Sequence, residues 1–374
     1  MSSKAIYVGV VGVGGVGSHF LSQLSKLPNA PSLVLVARSS QTLTSPAPSY
    51  PAIPPADWQS AFSSSTSSFT KSDAWSPEQI ASYLSQVPGR AILVDNTSDP
   101  TIASAYPIFT SKGISIVTPN KKAFSSSLKL WEDIFSTAAS NNALVYHEST
   151  VGAGLPVLST LRDLVNTGDT VTRIEGVFSG TLSFLFNQFS PPSPSTSGEK
   201  KKWSEVVSQA KELGYTEPDP RDDLNGMDVA RKLTILARIA GLEVESPDSF
   251  PIESLIPAEL ANLEAGSKGT EEFMRRLPDF DGKMEELQKD AESAGQVVRY
   301  VGSIDVPGKK VKVGLQNFDK DSAMAGLKGS DNIISFYTER YGELPLIVQG
   351  GGAGGAVTAM GVMSDLIKVL ERLS

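Results

Sequence analysis

The chain alternates short apolar runs with amphipathic stretches. Ile6–Val11 is an apolar, largely β-branched run, as expected for a strand covered on both faces. A glycine turn follows, then a helical pattern over residues 19–26 that stops before Pro28, then a second apolar run at 33–36. Ser, Pro and Thr dominate 39–77, so 39–56 reads as loop and 57–70 as a short helix. Regular alternation then resumes, with strands at 91–94, 114–117 and 144–146 and helices at 100–112 and 128–140. Strands separated by helices predict an α/β class with a parallel, doubly wound, Rossmann-type sheet.

The pattern changes near residue 150. Helices are expected at 155–166, 203–213 and 223–240, and strands at 172–178, 300–303, 311–315 and 333–337. Residues 190–202 read as a surface loop. A second glycine-rich turn, Gly350 to Gly355, opens a final helix at 357–373. The expected organisation is a nucleotide-binding domain at 1–150, a mixed α+β substrate and dimerisation region at 151–348, and a C-terminal turn and helix at 349–374 that returns to the first domain.

Composition narrows the partners. Of 374 residues 40% are hydrophobic and 20% charged, with a formal net charge of −8. That is ordinary for a soluble protein, and the lack of a long basic run speaks against nucleic acid or an anionic membrane surface as partner. The N-terminal apolar run is too short to span a bilayer and runs straight into the glycine turn, so a buried strand is the better reading than an apolar leader. There is no cysteine, which removes disulfides, thiolate metal sites and cysteine nucleophiles together, and fits a cytoplasmic setting.

The first chemical motif is Gly12-Val13-Gly14-Gly15-Val16-Gly17, followed by Ser18. It matches G-x-G-x-x-G directly after a strand and at the opening of a helix, the context that a dinucleotide site requires. Gly12 permits the tight turn, Gly14 the approach of a pyrophosphate, and Gly17 close helix–strand packing. The helix N-terminus adds N–H donors and a favourable dipole. An ordinary glycine-rich turn is the weaker alternative. An NAD site often has an acidic residue at the end of the second strand, where this chain has Arg38, Ser39 and Ser40. A guanidinium and two hydroxyls suit a 2′-phosphate, so NADP(H) is expected to be preferred, with NAD(H) usable; otherwise Arg38 is an exposed loop residue.

The second motif runs from Gly214 to Lys232, a proline-stiffened acidic loop that becomes a helix. Asp228 and Lys232 are four apart and share a helix face. Taken alone, that pair reads first as a surface ion pair on an amphipathic helix, which contributes little. The acidic order does not fit a calcium loop, and Pro218 and Pro220 restrict it. The functional alternative is hydride transfer to an aldehyde: a lysine ammonium stabilises the nascent alkoxide and protonates it, while carboxylates hold the lysine and a substrate ammonium. Lys121, Asn96 and Thr97 fall at carboxyl ends of sheet strands, where such ligands bind.

With these segments in place, the chain resembles the homoserine dehydrogenase family over its whole length, especially the fungal monofunctional members. The resemblance rests on Val94-Asp95-Asn96-Thr97-Ser98, Thr118-Pro119-Asn120-Lys121-Lys122-Ala123, residues 147–156, residues 176–182 and Gly214 to Lys232. It implies reversible NAD(P)-dependent reduction of L-aspartate 4-semialdehyde to L-homoserine, in threonine, methionine and isoleucine biosynthesis, by a cytoplasmic homodimer. It further implies that Lys232 exchanges the proton, with Lys121 beside the substrate and nicotinamide. Glu217 and Asp228 would bind homoserine, with Asp223, Thr181, Tyr215 and Gly214 close by, and Thr97 and Gly354 would approach the cofactor. A monovalent cation, Na+ or K+, would be held by Glu148, Val151, Ala153 and Leu155; from the residues alone, Glu148 is an ordinary loop carboxylate. At 374 residues the chain has no length for a fused kinase or regulatory domain, so threonine inhibition does not follow from the resemblance.

Two histidines are present. His147 is assigned a local hydrogen bond rather than catalysis, and no zinc motif is present. Aspartate-semialdehyde dehydrogenase chemistry needs a cysteine and is excluded. A non-catalytic NADP sensor, or another NAD(P)-dependent amino-acid dehydrogenase, stays as the alternative; cofactor binding without turnover would mark the sensor.

Overall fold

The structure is a computed structural model describing residues 5–63, 68–193 and 200–373. It divides into two compact units, residues 1–158 with 353–374, and residues 159–352.

The first unit holds a seven-stranded sheet. Its strands are β1 (Ile6–Val11), β2 (Ser32–Ala37), β3 (Gln41–Thr44), β4 (Thr70–Asp73), β5 (Arg90–Asp95), β6 (Ser115–Val117) and β7 (Val145–Tyr146), in the order β4-β3-β2-β1-β5-β6-β7. The five strands from β2 to β7 are parallel, and β3 and β4 extend the sheet antiparallel at one edge. The Rossmann-type expectation holds, but residues 39–56 are not all loop and the sheet is not purely parallel. The first helix also starts earlier than expected, at Gly15, and runs to Leu24. The expected helix at 100–112 is two pieces, Pro100–Ser104 and Tyr106–Ser111. Pro107 cannot donate to the carbonyl of residue 103, which explains the interruption. Below the sheet Phe20, Leu21 and Leu24 pack with Val362, Leu366 and Val369 of the C-terminal helix Gly355–Leu373.

The second unit holds an antiparallel sheet of β8 (Val171–Val177), β9 (Gln296–Asp305), β10 (Lys310–Asp319), β11 (Asp331–Thr338) and β12 (Leu346–Gly351), ordered β10-β9-β8-β11-β12. The expected helix 223–240 breaks into Arg221–Leu224 and Met227–Ile239. Gly226 causes the break: its φ is +74°, and a Cβ there would lie 2.1 Å from the Tyr300 hydroxyl. Helix Met227–Ile239 docks on β9 because Gly302 presents no side chain; a Cβ at that position would meet Leu233 at 2.7 Å. This contact sets the height of Lys232 above the sheet. Of the expected loop at 190–202, residues 194–199 lie outside the described residues.

Buried charge in this unit is not all chemical. Arg299 is fully buried and donates to the carbonyls of Phe186, Ser190, Val298, Met324 and Ala325. Burial lowers its pKa to about 10. It ties the end of helix Gly180–Phe189 to the loop before β11.

Candidate active site

In the first unit the glycine turn separates two kinds of glycine. Gly12 has φ +82°, and a Cβ there would lie 2.6 Å from the Thr97 methyl; one at Gly17 would lie 2.0 Å from the Gly12 carbonyl oxygen. These two glycines are needed for packing. Gly14 and Gly15 have nothing within 4 Å of a Cβ, so the backbone at the helix start is open to a ligand. Such a start suits a pyrophosphate. The Ser18 hydroxyl donates back to the Val13 carbonyl (2.9 Å), holding the turn to its helix.

A groove of about 1090 Å³ runs from Gly12 and Gly14 past Arg38 and Ser39 to Asn96 and Thr97, with Trp75, Ser76 and Pro77 along it. Arg38 stands over the Phe62 ring, 5.5 Å from its centroid. Trp75 and Ser76 were not foreseen. Ser76 caps helix Pro77–Leu84 in a capping box with Gln79, and Ser-Pro-Glu-Gln was the sequence signal that could have placed it.

Thr97 sits in a network anchored on a buried carboxylate. Asp95, at the end of β5, accepts from the Thr97 backbone N–H (2.8 Å), the Tyr106 hydroxyl (2.6 Å) and the Asn120 amide (3.1 Å). Burial raises the Asp95 pKa, with these hydrogen bonds opposing the rise, and burial also raises that of Tyr106. The Asn120 amide reaches the Asp99 carbonyl as well (3.0 Å). Lys121 follows Asn120 and opens the short helix Lys122–Ser125, its carbonyl accepting from the Ser125 backbone and hydroxyl. Gly354 has φ +118° with open space at its Cβ position.

The segment with Glu148, Val151, Ala153 and Leu155 is a tight turn in which Gly152 and Ala153 have φ of +78° and +55°. Glu148 Oε1 accepts from the Leu158 backbone N–H (2.7 Å) and Oε2 lies 3.9 Å from Lys368 Nζ. Asp365 accepts from the Glu148 backbone N–H (2.7 Å); burial pushes its pKa up to about 6. Among the described residues no cluster of three His, Cys, Asp or Glu side chains forms a metal site. A donor set of one carboxylate and backbone carbonyls is chemically suited to a hard monovalent cation, although the Glu148 carboxylate already has protein partners. His147 is buried, stacks on Phe124 at 4.0 Å and lies 3.3 Å from the Thr150 hydroxyl, a packing role.

In the second unit the acidic segment folds around Lys232. Its side chain is buried, and Nζ donates to the Phe178 carbonyl (2.6 Å) and pairs with Asp228 (2.6 Å), whose side chain is 42% exposed. This is not the solvated surface pair of the simplest reading: the cation is buried and its counter-ion faces solvent. Asp223 accepts from the Glu217 backbone N–H (2.8 Å). Burial raises its pKa, and the charges of Glu217 and Asp228 push the same way, so the three carboxylates share one acidic surface. The Thr181 hydroxyl donates to the Tyr215 carbonyl (2.7 Å), and the Tyr215 ring stacks on Phe184 at 4.3 Å; Gly214 enters this turn at φ +73°. Asp219 and Arg221 instead lock the loop: Arg221 pairs with Asp219 and donates to the Leu263 and Glu264 carbonyls. The expected cofactor residues thus gather in one unit and the expected substrate residues in the other.

Comparison with known proteins decides the family. The profile of the homoserine dehydrogenase family matches residues 156–367, and that of its NAD-binding domain matches residues 12–148. The homoserine dehydrogenase of Paracoccidioides brasiliensis is 75% identical over all of both chains. The chain belongs to the homoserine dehydrogenase family. A Candida auris protein solved as one of unknown function has a TM-score of 0.91 at 48% identity, covering 99% of each chain. A hyperthermophilic archaeal homoserine dehydrogenase in complex with NADPH, 22% identical over 98% of each chain, shares the fold with a TM-score of 0.70. As a homoserine dehydrogenase family member, the chain is an NAD(P)-dependent oxidoreductase. The family's NAD-binding profile coincides with the unit that carries the open glycine turn.

Proposed function

We propose that the chain interconverts L-aspartate 4-semialdehyde and L-homoserine with Lys232 as the group that exchanges the proton. A reduced nicotinamide held at the glycine turn of residues 12–18 would supply the hydride that reduces the aldehyde carbon. The hydride's electron pair would form the new C–H bond while the carbonyl π pair moves onto oxygen, and the Lys232 ammonium stabilises that oxygen and gives it a proton. Neutral Lys232 takes the proton back from the hydroxyl in the reverse direction. Asp228 holds the ammonium form in place. Glu217 and Asp223, with the outer face of Asp228, offer negative charge to the substrate ammonium, and Thr181 and Tyr215 shape the turn beside them. Lys121 adds a second cation at the cofactor end of the reaction. The observation that carries this reading is the buried Lys232 paired with Asp228.

Thr97, Gly354 and residues 12–18 would hold the dinucleotide, and Arg38 favours NADP(H) through its 2′-phosphate. The NADPH complex of the archaeal relative accords with binding of a nicotinamide dinucleotide. Glu148 and the carbonyls of Val151, Ala153 and Leu155 would hold Na+ or K+. Family membership supports a cytoplasmic homodimer, which sedimentation velocity checks, serving threonine, methionine and isoleucine synthesis. No helix among the described residues is long and apolar enough to cross a membrane.

The test follows NADPH and NADH absorbance with aspartate 4-semialdehyde, then homoserine with the oxidised cofactors, each with and without sodium and potassium. Saturable turnover both ways, favouring NADPH and weakened without the cations, is expected. Cofactor binding without turnover would favour a sensor; indifference to both cations would remove the cation site.

A further inference from the structure

We propose that Asn332 is a positioning residue for Lys232, acting through the Phe178 carbonyl. The inference rests on the acid–base reading of Lys232. Antiparallel pairing sets Ile333 of β11 against Val177 of β8, so Asn332 stands opposite Phe178 just past the end of β8. Its amide Nδ2 donates to the Phe178 carbonyl oxygen at 3.1 Å. The same oxygen accepts from Lys232 Nζ at 2.6 Å. A carbonyl oxygen has two lone pairs, and here two donors from two different elements occupy it. The carbonyl therefore cannot swing toward or away from the lysine without breaking a bond to the sheet.

Two features separate this contact from ordinary packing. Asn332 is 1% exposed, and its Oδ1 has no hydrogen-bond partner. Half of a buried amide is thus left unsatisfied, a cost that a leucine of similar size would not incur. The retained N–H points at the oxygen that holds the lysine. The second feature is Gly352, just beyond β12: a Cβ there would lie 2.0 Å from Asn332 Nδ2 and 2.3 Å from its Cγ. The Gly352 backbone is pressed against the amide on its Nδ2 side and leaves that donor no room to move toward it.

The direction of the effect follows from the charges around Lys232. Asp228 on its own helix, with Asp223 on the short helix before it and Glu217 on the preceding loop, favours the ammonium. The Phe178 carbonyl, just past the end of β8, does too. By donating to that carbonyl, Asn332 weakens it as an acceptor and so favours the neutral amine, the form that homoserine oxidation requires. Without the amide, oxidation should need a higher pH.

Asn332→Leu and Gly352→Ala test this from opposite sides. Homoserine oxidation is followed from about pH 6 to about pH 10, where a lysine amine can titrate, and NADP binding is measured by fluorescence titration. In Asn332→Leu the pH at half-maximal kcat should rise by about half a unit to one unit, the three- to tenfold change in proton concentration that one hydrogen bond supports. NADP affinity should stay unchanged. Gly352→Ala should move the midpoint the same way, because its methyl displaces the amide, and the double variant should move it no further. If Asn332→Leu does not fold, Gly352→Ala reads the same contact. An even loss of kcat at every pH with the midpoint unmoved would make Asn332 structural and overturn the proposal. Lys232→Ala in the same assay separates the two readings: if it keeps wild-type turnover, the role of Lys232 itself fails; if it loses turnover while the midpoint stays fixed in the other variants, only the role of Asn332 fails.

Discussion

The ends of β5 and β8 solve the same problem in opposite ways. Each strand stops beside the start of a helix and buries one charge. At β5 the charge is the Asp95 carboxylate, held by neutral donors: the Thr97 N–H, the Tyr106 hydroxyl and the Asn120 amide. At β8 the charge is the Lys232 ammonium, held by a carbonyl and by the carboxylate of Asp228, whose outer face is open to solvent. A buried ion satisfied by fixed dipoles shapes backbone. A buried ion with a counter-ion at the protein surface suits the proton exchange proposed for Lys232. On this view the first region is scaffold for the cofactor and the second is chemistry.

The largest test compares the two lysines. Lys232→Ala should lower kcat in both directions by about 10²–10⁴-fold, the range for a positioned acid or base, with NADP binding unchanged by titration. Lys121→Ala, in the cofactor unit, should cost less in kcat and more in the KM of the cofactor. Equal losses in kcat from both would mean that proton transfer is shared and would erase the contrast.

Much of this contrast was legible in sequence, for local reasons. A glycine fingerprint between strand and helix depends on neighbours a few residues away, and so does a lysine four residues after an aspartate on one helix. What escaped depends on distant partners. β3 and β4 are short, polar strands whose hydrogen bonds come from β2 and from each other, so their own pattern carries little strand signal. The break at Gly226 exists because Tyr300 occupies the space its side chain would need. Asp95 was visible in a recognisable motif, yet nothing local told that it is buried under Tyr106 and Asn120. The role of Asn332 depends on a carbonyl 154 residues earlier in the chain.

A middle-sized effect is expected at the other end of the cofactor groove. Arg38 is exposed but its guanidinium is placed over Phe62, which orients it beside the groove. Replacing it by aspartate removes one or two charge-assisted hydrogen bonds to a 2′-phosphate and adds repulsion. At about 1.5–3 kcal/mol for each such bond, the ratio of kcat/KM for NADP over NAD should fall at least about tenfold. A ratio that does not move would return Arg38 to an ordinary loop residue, leaving the scaffold without a part in cofactor choice.

The smallest effect, and the sharpest for the scaffold reading, is on stability at Asp95. Burial raises its folded-state pKa above the ordinary 3.8, so the folded chain binds the proton more tightly than the unfolded one. Such a group contributes its full stability below the unfolded value and loses it as pH rises through the raised folded value. Asp95→Asn has no such titration, and its amide presents a donor where the Tyr106 hydroxyl or Asn120 amide expects an acceptor. The wild type should therefore exceed the variant by about 1–3 kcal/mol at the acid end, and the margin should shrink as pH rises. Denaturant unfolding of both chains at several pH values measures it, alongside turnover. The expected kcat of Asp95→Asn is near that of the wild type, with a higher KM for the cofactor because the Thr97 turn has lost part of its anchor. A collapse of kcat with an unchanged cofactor KM would instead place Asp95 with Lys232 among the groups that serve the proton, and the two strand ends would no longer divide the work.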